Sequence, residues 1–535
     1  MNNRLAICLA LFSTLSIACD PYGGAVMVPP QKLHDIQGLD LSANASTQPT
    51  TQASTQPTTE PAEKVTITLA EVRQMALHNN LDLKVELLNP TISKAGLSQE
   101  EAQFESTFDT SASYSVSDSP SNDPSRNVIL GSGFNSTSVS PGITVPLRTG
   151  GSIQVDLPMS RVQSNDSDPT YTTSLSASIS QPLLRGAGIE TSTHRMRIAA
   201  YDYQISQAQA KLEVIRVLAD ADRAYWRLYA ARQDLDVRKK QYDLSVSQLD
   251  RAKRQVEHGL AAEVEIIRAE SGVADNVEAV IVAENAVRDR QRELKRIINQ
   301  TGLEMGTPTI LVPASLPRPL EYKFDPDKVV KTALSQRMEM LELEFQILQQ
   351  ASSVAFAKQD LLPLVSMNYR YRVNGLGPTL DDSFQLLNDK RFEDHSVGLQ
   401  IQVPLGNEAA KARLRQALAG RMQRLMTKEQ RSLAIQQEVY NALDTIQADW
   451  QRILASEKRT ILNSRLLEAE IRQFDLGLRT STDVLNAQTA LADAQSSEIS
   501  ALTDYQIAQV DLAFATGMLL GASGVSWDPT PAPRQ

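Results

Sequence analysis

The sequence predicts an α+β membrane protein made of two structural repeats, each giving two transmembrane β-strands and a long α-helical hairpin. Three observations carry that prediction. The first is an apolar row with strict seven-residue spacing that occurs twice. Ala221, Leu228, Leu235, Tyr242, Leu249 and Val256 form it, with Gly259 three residues after the last. Adding 218 to each number returns Val439, Ile446, Ile453, Thr460, Leu467 and Phe474, with Gly477 in the place of Gly259. A strict heptad holds one seam against a partner helix and imposes a left-handed supercoil, so each row belongs to a rod and not to a globular core. The second observation is period-two alternation in segments of about ten residues, the pattern of a stave with one face in lipid and one in water. The third is that no segment after the first twenty residues approaches the ~18 consecutive apolar residues of a spanning helix. Any crossing of a membrane must then use strands.

Composition narrows the function classes. At 535 residues the chain is 41% hydrophobic and 22% charged, as a folded protein should be. A net charge of −10 argues against nucleic acid as a partner, which calls for a basic face. Aromatic residues make up only 5%, low for an all-β enzyme and ordinary for long helices. Both cysteines, Cys8 and Cys19, lie near the start, so the body of the chain has no disulfide or thiolate chemistry.

Residues 1–19 read as a secretory signal, with Arg4 as the positive start, Leu5–Ala18 as the apolar run and Ser16-Ile17-Ala18-Cys19 as a small-residue cleavage site. A cysteine at that junction resembles the bacterial lipoprotein signal, which implies acylation of Cys19 and a partner in outer-membrane lipid. Leu15 stands four residues before Cys19 where the usual box has it three before, and Asp20 can act as an inner-membrane retention signal in some bacteria. A soluble form cut nearby is the alternative. Residues 20–64 form a tether with low-complexity Thr, Gln, Ser and Pro from about 40, in which Thr-Gln-Pro-Thr-Thr occurs twice. Such a stretch cannot bury a core.

The first repeat is expected over 65–303 and the second over 322–520, with 304–321 as linker and 521–535 as a disordered tail. Thr68-Leu69-Ala70-Glu71 has the spacing of a capping box, and Asp325-Pro326-Asp327 opens the matching helix. Strands are expected at about 107–118 and 171–182, then at about 364–374 and 395–404. Four staves are too few for a membrane barrel, which needs about eight, so copies must combine. A further alternating hairpin at about 139–160 lies between the first two strands, and the pattern leaves open whether it joins the barrel. Gln181-Pro182-Leu183 and Val403-Pro404-Leu405 end the strand pairs. Long helices follow at about 190–257 and 408–474, with return helices at about 262–300 and 480–516.

These residues resemble the outer-membrane efflux family, the TolC-like channel tunnels, in its lipoprotein branch. The resemblance rests on Ala224-Tyr225-Trp226-Arg227-Leu228, on Gln181-Pro182-Leu183-Leu184-Arg185-Gly186, and above all on Gly477-Leu478-Arg479-Thr480-Ser481-Thr482-Asp483-Val484-Leu485-Asn486-Ala487-Gln488. It covers nearly everything from about 65 to 520 in matching order. It implies a homotrimer in the outer membrane of a Gram-negative-type bacterium, with roughly twelve strands in one barrel and roughly twelve helices in a periplasmic tunnel. The partners implied are a periplasmic adaptor protein and an inner-membrane pump. The function implied is passive export, in efflux or type I secretion.

No enzyme is expected, and no cofactor or metal. His34, His78, His194, His258 and His395 are scattered without metal-ligand spacing, and no Gly-rich phosphate loop occurs. Mechanism is expected at the helical turns around Gly259 and Gly477. There the resemblance assigns Arg479 to a tie that holds the tunnel shut, and Asp483 and Glu265 to an acidic ring. Phe474 stands where the family has a locking Tyr, and Asn486 where it has a second ring Asp, so both departures weaken the expected gate. The plainer alternative for these charges is a solvated helix tip. For the whole chain the alternative is a periplasmic adaptor or structural coiled-coil lipoprotein. An adaptor would show one helical hairpin and no amphipathic strand pairs.

Overall fold

A computed structural model describes residues 63–123, 128–164, 167–259 and 261–525. The signal, Cys19 and nearly all of the tether lie outside the described residues, as do 526–535 of the tail. In chain order the elements are β1 (Lys64–Ile67), α1 (Leu69–Asn79), α2 (Leu81–Glu86), α3 (Asn89–Ala102), β2 (Thr107–Asp123), β3 (Val128–Pro146), β4 (Ser152–Asp156), β5 (Met159–Ser164) and β6 (Thr170–Pro182). Then come α4 (Ile189–Ser192), α5 (His194–Glu257), α6 (Val264–Ile298), β7 (Ile310–Pro313), α7 (Pro326–Gln336) and α8 (Met338–Gln359). The chain continues with β8 (Leu364–Gly377), α9 (Leu380–Asn388), β9 (Glu393–Gln402), α10 (Glu408–Asp475), α11 (Ser481–Ala515) and α12 (Leu519–Ala522). Among the described residues no helix is long and apolar enough to cross a membrane.

The rods match the heptad reading. Helix α5 has 64 residues and α10 has 68, which at about 1.5 Å per residue makes each about 100 Å long. Their return helices α6 and α11 have 35 residues each. Along α10, five of the six heptad residues are buried and Thr460 is half-buried. Along α5 the row is buried only at Ala221 and Leu228. From Leu235 onward it is half-buried, and the buried positions become Val237, Gln241, Ser245, Gln248 and Ala252. The lower seam of α5 is thus one of small and polar side chains set beside the apolar row.

Where the rods meet the shorter helices, a core gathers around Val214, Leu218, Tyr225, Leu228, Leu294 and Ile298. The 304–321 stretch is more than a linker, because β7 lies in it and pairs in parallel with β1, burying Leu311. Tyr225 fastens the pair: its hydroxyl accepts from the Ser315 backbone N–H at 2.7 Å and reaches the Ile67 carbonyl at 3.4 Å. Thr68 and Glu71 form the expected capping box at the head of α1. The start of the tail is also ordered, as α12.

Strands β2 to β6, β8 and β9 form one antiparallel sheet in the order β2-β3-β4-β6-β8-β9, with β5 continuing β4 between β3 and β6. The sheet therefore has six positions, and the 139–160 hairpin supplies two of them. β2 does not meet β6: β3 and the broken β4/β5 strand stand between them. One face carries Phe108, Ile143, Val155, Ala177 and Tyr371 in a single row, and the polar residues alternate to the other face.

The register also gives the tilt. The apolar run of β2 centres on Ala112, whose row crosses Val139, Met159 and Thr173 to reach Gly375 on β8. The apolar run of β8 centres on Tyr369, six residues nearer the helices than Gly375. Over four strand steps the belt slides by about 20 Å along the strands and about 19 Å across them, taking ~3.4 Å per residue and ~4.8 Å per strand. That slope of about 45° is the tilt of a membrane-barrel stave.

Candidate gate at the helical turns

Both rods end the same way. Gly259 and Gly477 adopt φ of +70° and +73°, the left-handed conformation that closes a helix and that a Cβ disfavours. At the second turn the closure is a full Schellman pair: the Gly477 N–H donates to the Phe474 carbonyl and the Leu478 N–H to the Gln473 carbonyl, each at 2.9 Å. At the first, the Gly259 N–H donates to the Val256 carbonyl at 2.9 Å.

The return helix α11 opens on a capping box. The Asp483 carboxylate accepts from the Thr480 backbone N–H at 2.9 Å and the Thr480 hydroxyl at 2.8 Å, and the Asp483 N–H donates back to Thr480 Oγ1 at 3.4 Å. The backbone bond from Thr480, and then its hydroxyl, hold the Asp483 carboxyl below its usual range. Asp483 thus sits at a helix cap with one carboxylate oxygen, Oδ2, taking both bonds from Thr480. The Thr-x-x-Asp spacing was the signal for this.

Arg479 turns back onto its own rod. Its Nε donates to Gln473 Oε1 at 2.9 Å and lies 3.3 Å from Glu470 Oε2, with the guanidinium about half exposed and Glu470 largely covered. Glu470 is its carboxylate here, in place of Asp483 or Glu265. Glu265 bridges the two hairpins: one oxygen accepts from the Ser481 backbone N–H at 2.9 Å, at the positive end of α11, and the other pairs with Arg268 at 2.6 Å. Phe474 is 3% exposed and packs with Leu467, Val484 and Ala487 as the core of the second turn. Asn486 is exposed and lines a recess between the hairpins with Arg268, Asp275 and Asn276. The structure therefore brings Glu265 to the α11 cap, and it leaves Arg479 and Asn486 apart from that contact.

Sequence reasoning missed Glu470, Gln473, Arg268 and Gly272. Gly272, in mid-helix on α6, lets Leu485 of α11 approach so closely that a Cβ there would collide with it. Farther up, Arg238 pairs with Asp493 at 3.3 Å and Arg223 with Asp511 at 2.6 Å, which joins α5 to α11 along their length.

A tilted amphipathic sheet continuous with two rods that end in capped turns defines a subunit of a channel tunnel. Residues 329–518 match the family model described as outer membrane efflux protein. The chain is 23% identical over 364 residues to outer membrane protein TolC of Vibrio cholerae, covering 67% of this chain and 80% of that one. It is 22% identical to outer membrane efflux protein BepC of Brucella suis, over 61% of this chain and 69% of the relative. The CmeC outer membrane channel of Campylobacter jejuni superposes with a TM-score of 0.64 at 15% identity, over 84% of this chain and 86% of that one. Over residues 329–518 the chain is therefore similar to the outer membrane efflux protein family.

Proposed function

We propose that this chain is the outer-membrane channel of a tripartite efflux or type I secretion system, a passive duct gated at its periplasmic turns. Proteins of this family are channels and not enzymes, and they sit in the outer membrane and extend into the periplasm. The observation that carries the reading is the single sheet tilted at about 45°, apolar on one face, whose strands lead directly into rods of 64 and 68 residues. Among the described residues its outer strands β2 and β9 each have only one partner. An open edge is not tolerated in lipid, so further copies must close the sheet, and a homotrimer meets that need. The two repeats, 65–303 and 322–520, would each then supply one hairpin of the tunnel wall.

In this reading the turns meet a periplasmic adaptor and an inner-membrane pump supplies the energy. Arg479, Asp483, Glu265, Phe474 and Asn486 form the gate region. The Arg479–Glu470 pair, with its guanidinium half exposed, contributes ~1 kcal/mol, so a closed state needs several such ties around the ring. Arg479→Ala is expected to raise single-channel conductance in planar bilayers, and an unchanged conductance would remove Arg479 from the gate. Cys19 is proposed as the lipid anchor: Cys19→Ser should abolish incorporation of radiolabelled palmitate, and persisting label would sink the assignment.

A further inference from the structure

We propose that each copy lays six strands into the membrane, so that three copies close a barrel of eighteen strands, half again the twelve that two strands per repeat would give. The inference rests on the trimeric channel reading above and fixes the width of its bore.

The extra hairpin is built as a membrane stave at every level. β3 pairs with β2 from Thr107↔Thr144 to Asp123↔Val128, and β4 and β5 pair with both β3 and β6, so no gap separates the hairpin from the sheet. Its faces alternate in phase with its neighbours. Val139 aligns with Ala112, Ile143 with Phe108, and Val155 with Ala177 on the apolar face. On the other face Ser138 meets Ser113, hydroxyl to hydroxyl, at 2.7 Å. The tilted belt passes smoothly through the hairpin: on β3 the centre of the β2 belt falls at Val139 and the centre of the β6 belt at Ile143. A hairpin folded outside the membrane would have no reason to keep that slope. Its near turn is level with the strand exits as well, since the Gly188 N–H donates to the Thr149 carbonyl at 3.1 Å.

The strand count sets the width. A strand tilted by about 45° takes up about 6.8 Å of circumference, so eighteen span about 120 Å where twelve span about 80 Å. The wider barrel would pass larger hydrated cargo.

The test uses nitroxide labels on the full chain in liposomes, whose body has no native cysteine after Cys19. The label on Val139→Cys should be relaxed mainly by oxygen, and the label on Ser138→Cys mainly by a water-soluble nickel chelate. A Val139 label as open to the chelate as Ser138 would place the hairpin outside the lipid and overturn the proposal. Deleting residues 128–164, which joins β2 to β6 at the far end, should narrow the barrel seen by electron cryo-microscopy of the detergent-solubilised assembly by about a third in diameter. An unchanged diameter would overturn it too. The mass of the detergent-solubilised protein separates the layers: a monomer refutes the channel reading beneath, whereas a trimer with a water-exposed Val139 refutes the strand count alone.

Discussion

The two helical turns share a backbone and differ in how they are fastened. The second has a Schellman closure, a Thr480–Asp483 capping box and a buried aromatic, Phe474. The first has the glycine but no side-chain cap at Glu263, and the seam above it is polar: Gln241, Ser245 and Gln248 are buried, with the Gln248 Nε2 unpartnered. An unpaired buried amide costs about 1–3 kcal/mol, but the second hairpin carries such groups too, at Ser481 Oγ and Gln488 Oε1, so the contrast between the turns lies in the cap and the buried aromatic. The first hairpin leans on the second instead, through Glu265 and the Ser481 N–H. Both turns have the left-handed glycine, which the backbone requires, while their side chains differ. If the proposed gate operates, the first hairpin is the one expected to move.

The largest way to break this comparison is Phe474→Ala. Removing a buried aromatic costs about 3–5 kcal/mol, so hydrogen exchange should rise at both turns, because the first depends on the second. A rise at the second turn alone would show that the first stands by itself. Gly272→Val should cost about 1–3 kcal/mol by forcing Leu485 aside, and it should raise exchange in α6 before α10. Thr480→Ala removes one cap, worth about 1 kcal/mol, and its effect should stay within the first turn of α11.

The smallest effect is that of acid. A carboxylate whose folded pKa is depressed gives stability that is present above the unfolded value and is lost as pH falls through the folded one. The Asp483 cap should therefore be intact from neutral pH to about pH 5 and release only below about pH 4. Exchange at 480–486 that rose already at pH 6 would assign the cap to another group.

The sequence made some of this legible and hid the rest for definite reasons. Gly259 and Gly477 were readable because few other residues accept that φ, and the staves because period two has one geometric meaning. The alternation of Ile143, Val145, Ile153 and Val155 disclosed which face they share, but not that β3 and β4/β5 would separate β2 from β6. Partner choice is a non-local property. The heptad row of α5 pointed at the right side of the rod, yet the buried positions beside it are Gln241, Ser245 and Gln248, whose polarity conceals them from any hydrophobic pattern. The Arg479–Glu470 pair spans the turn onto the preceding rod, so helical spacing along one element could not reveal it. The signal, Cys19 and the tether rest on the residue pattern alone.

The claim on which everything depends is that copies of this chain unite around one hollow axis. Electron cryo-microscopy of the full chain purified in detergent tests it most directly. The expected image is three copies whose sheets close edge to edge, β9 of one against β2 of the next, above a continuous helical tunnel. A single copy with both sheet edges free, or an assembly with no bore, would contradict it.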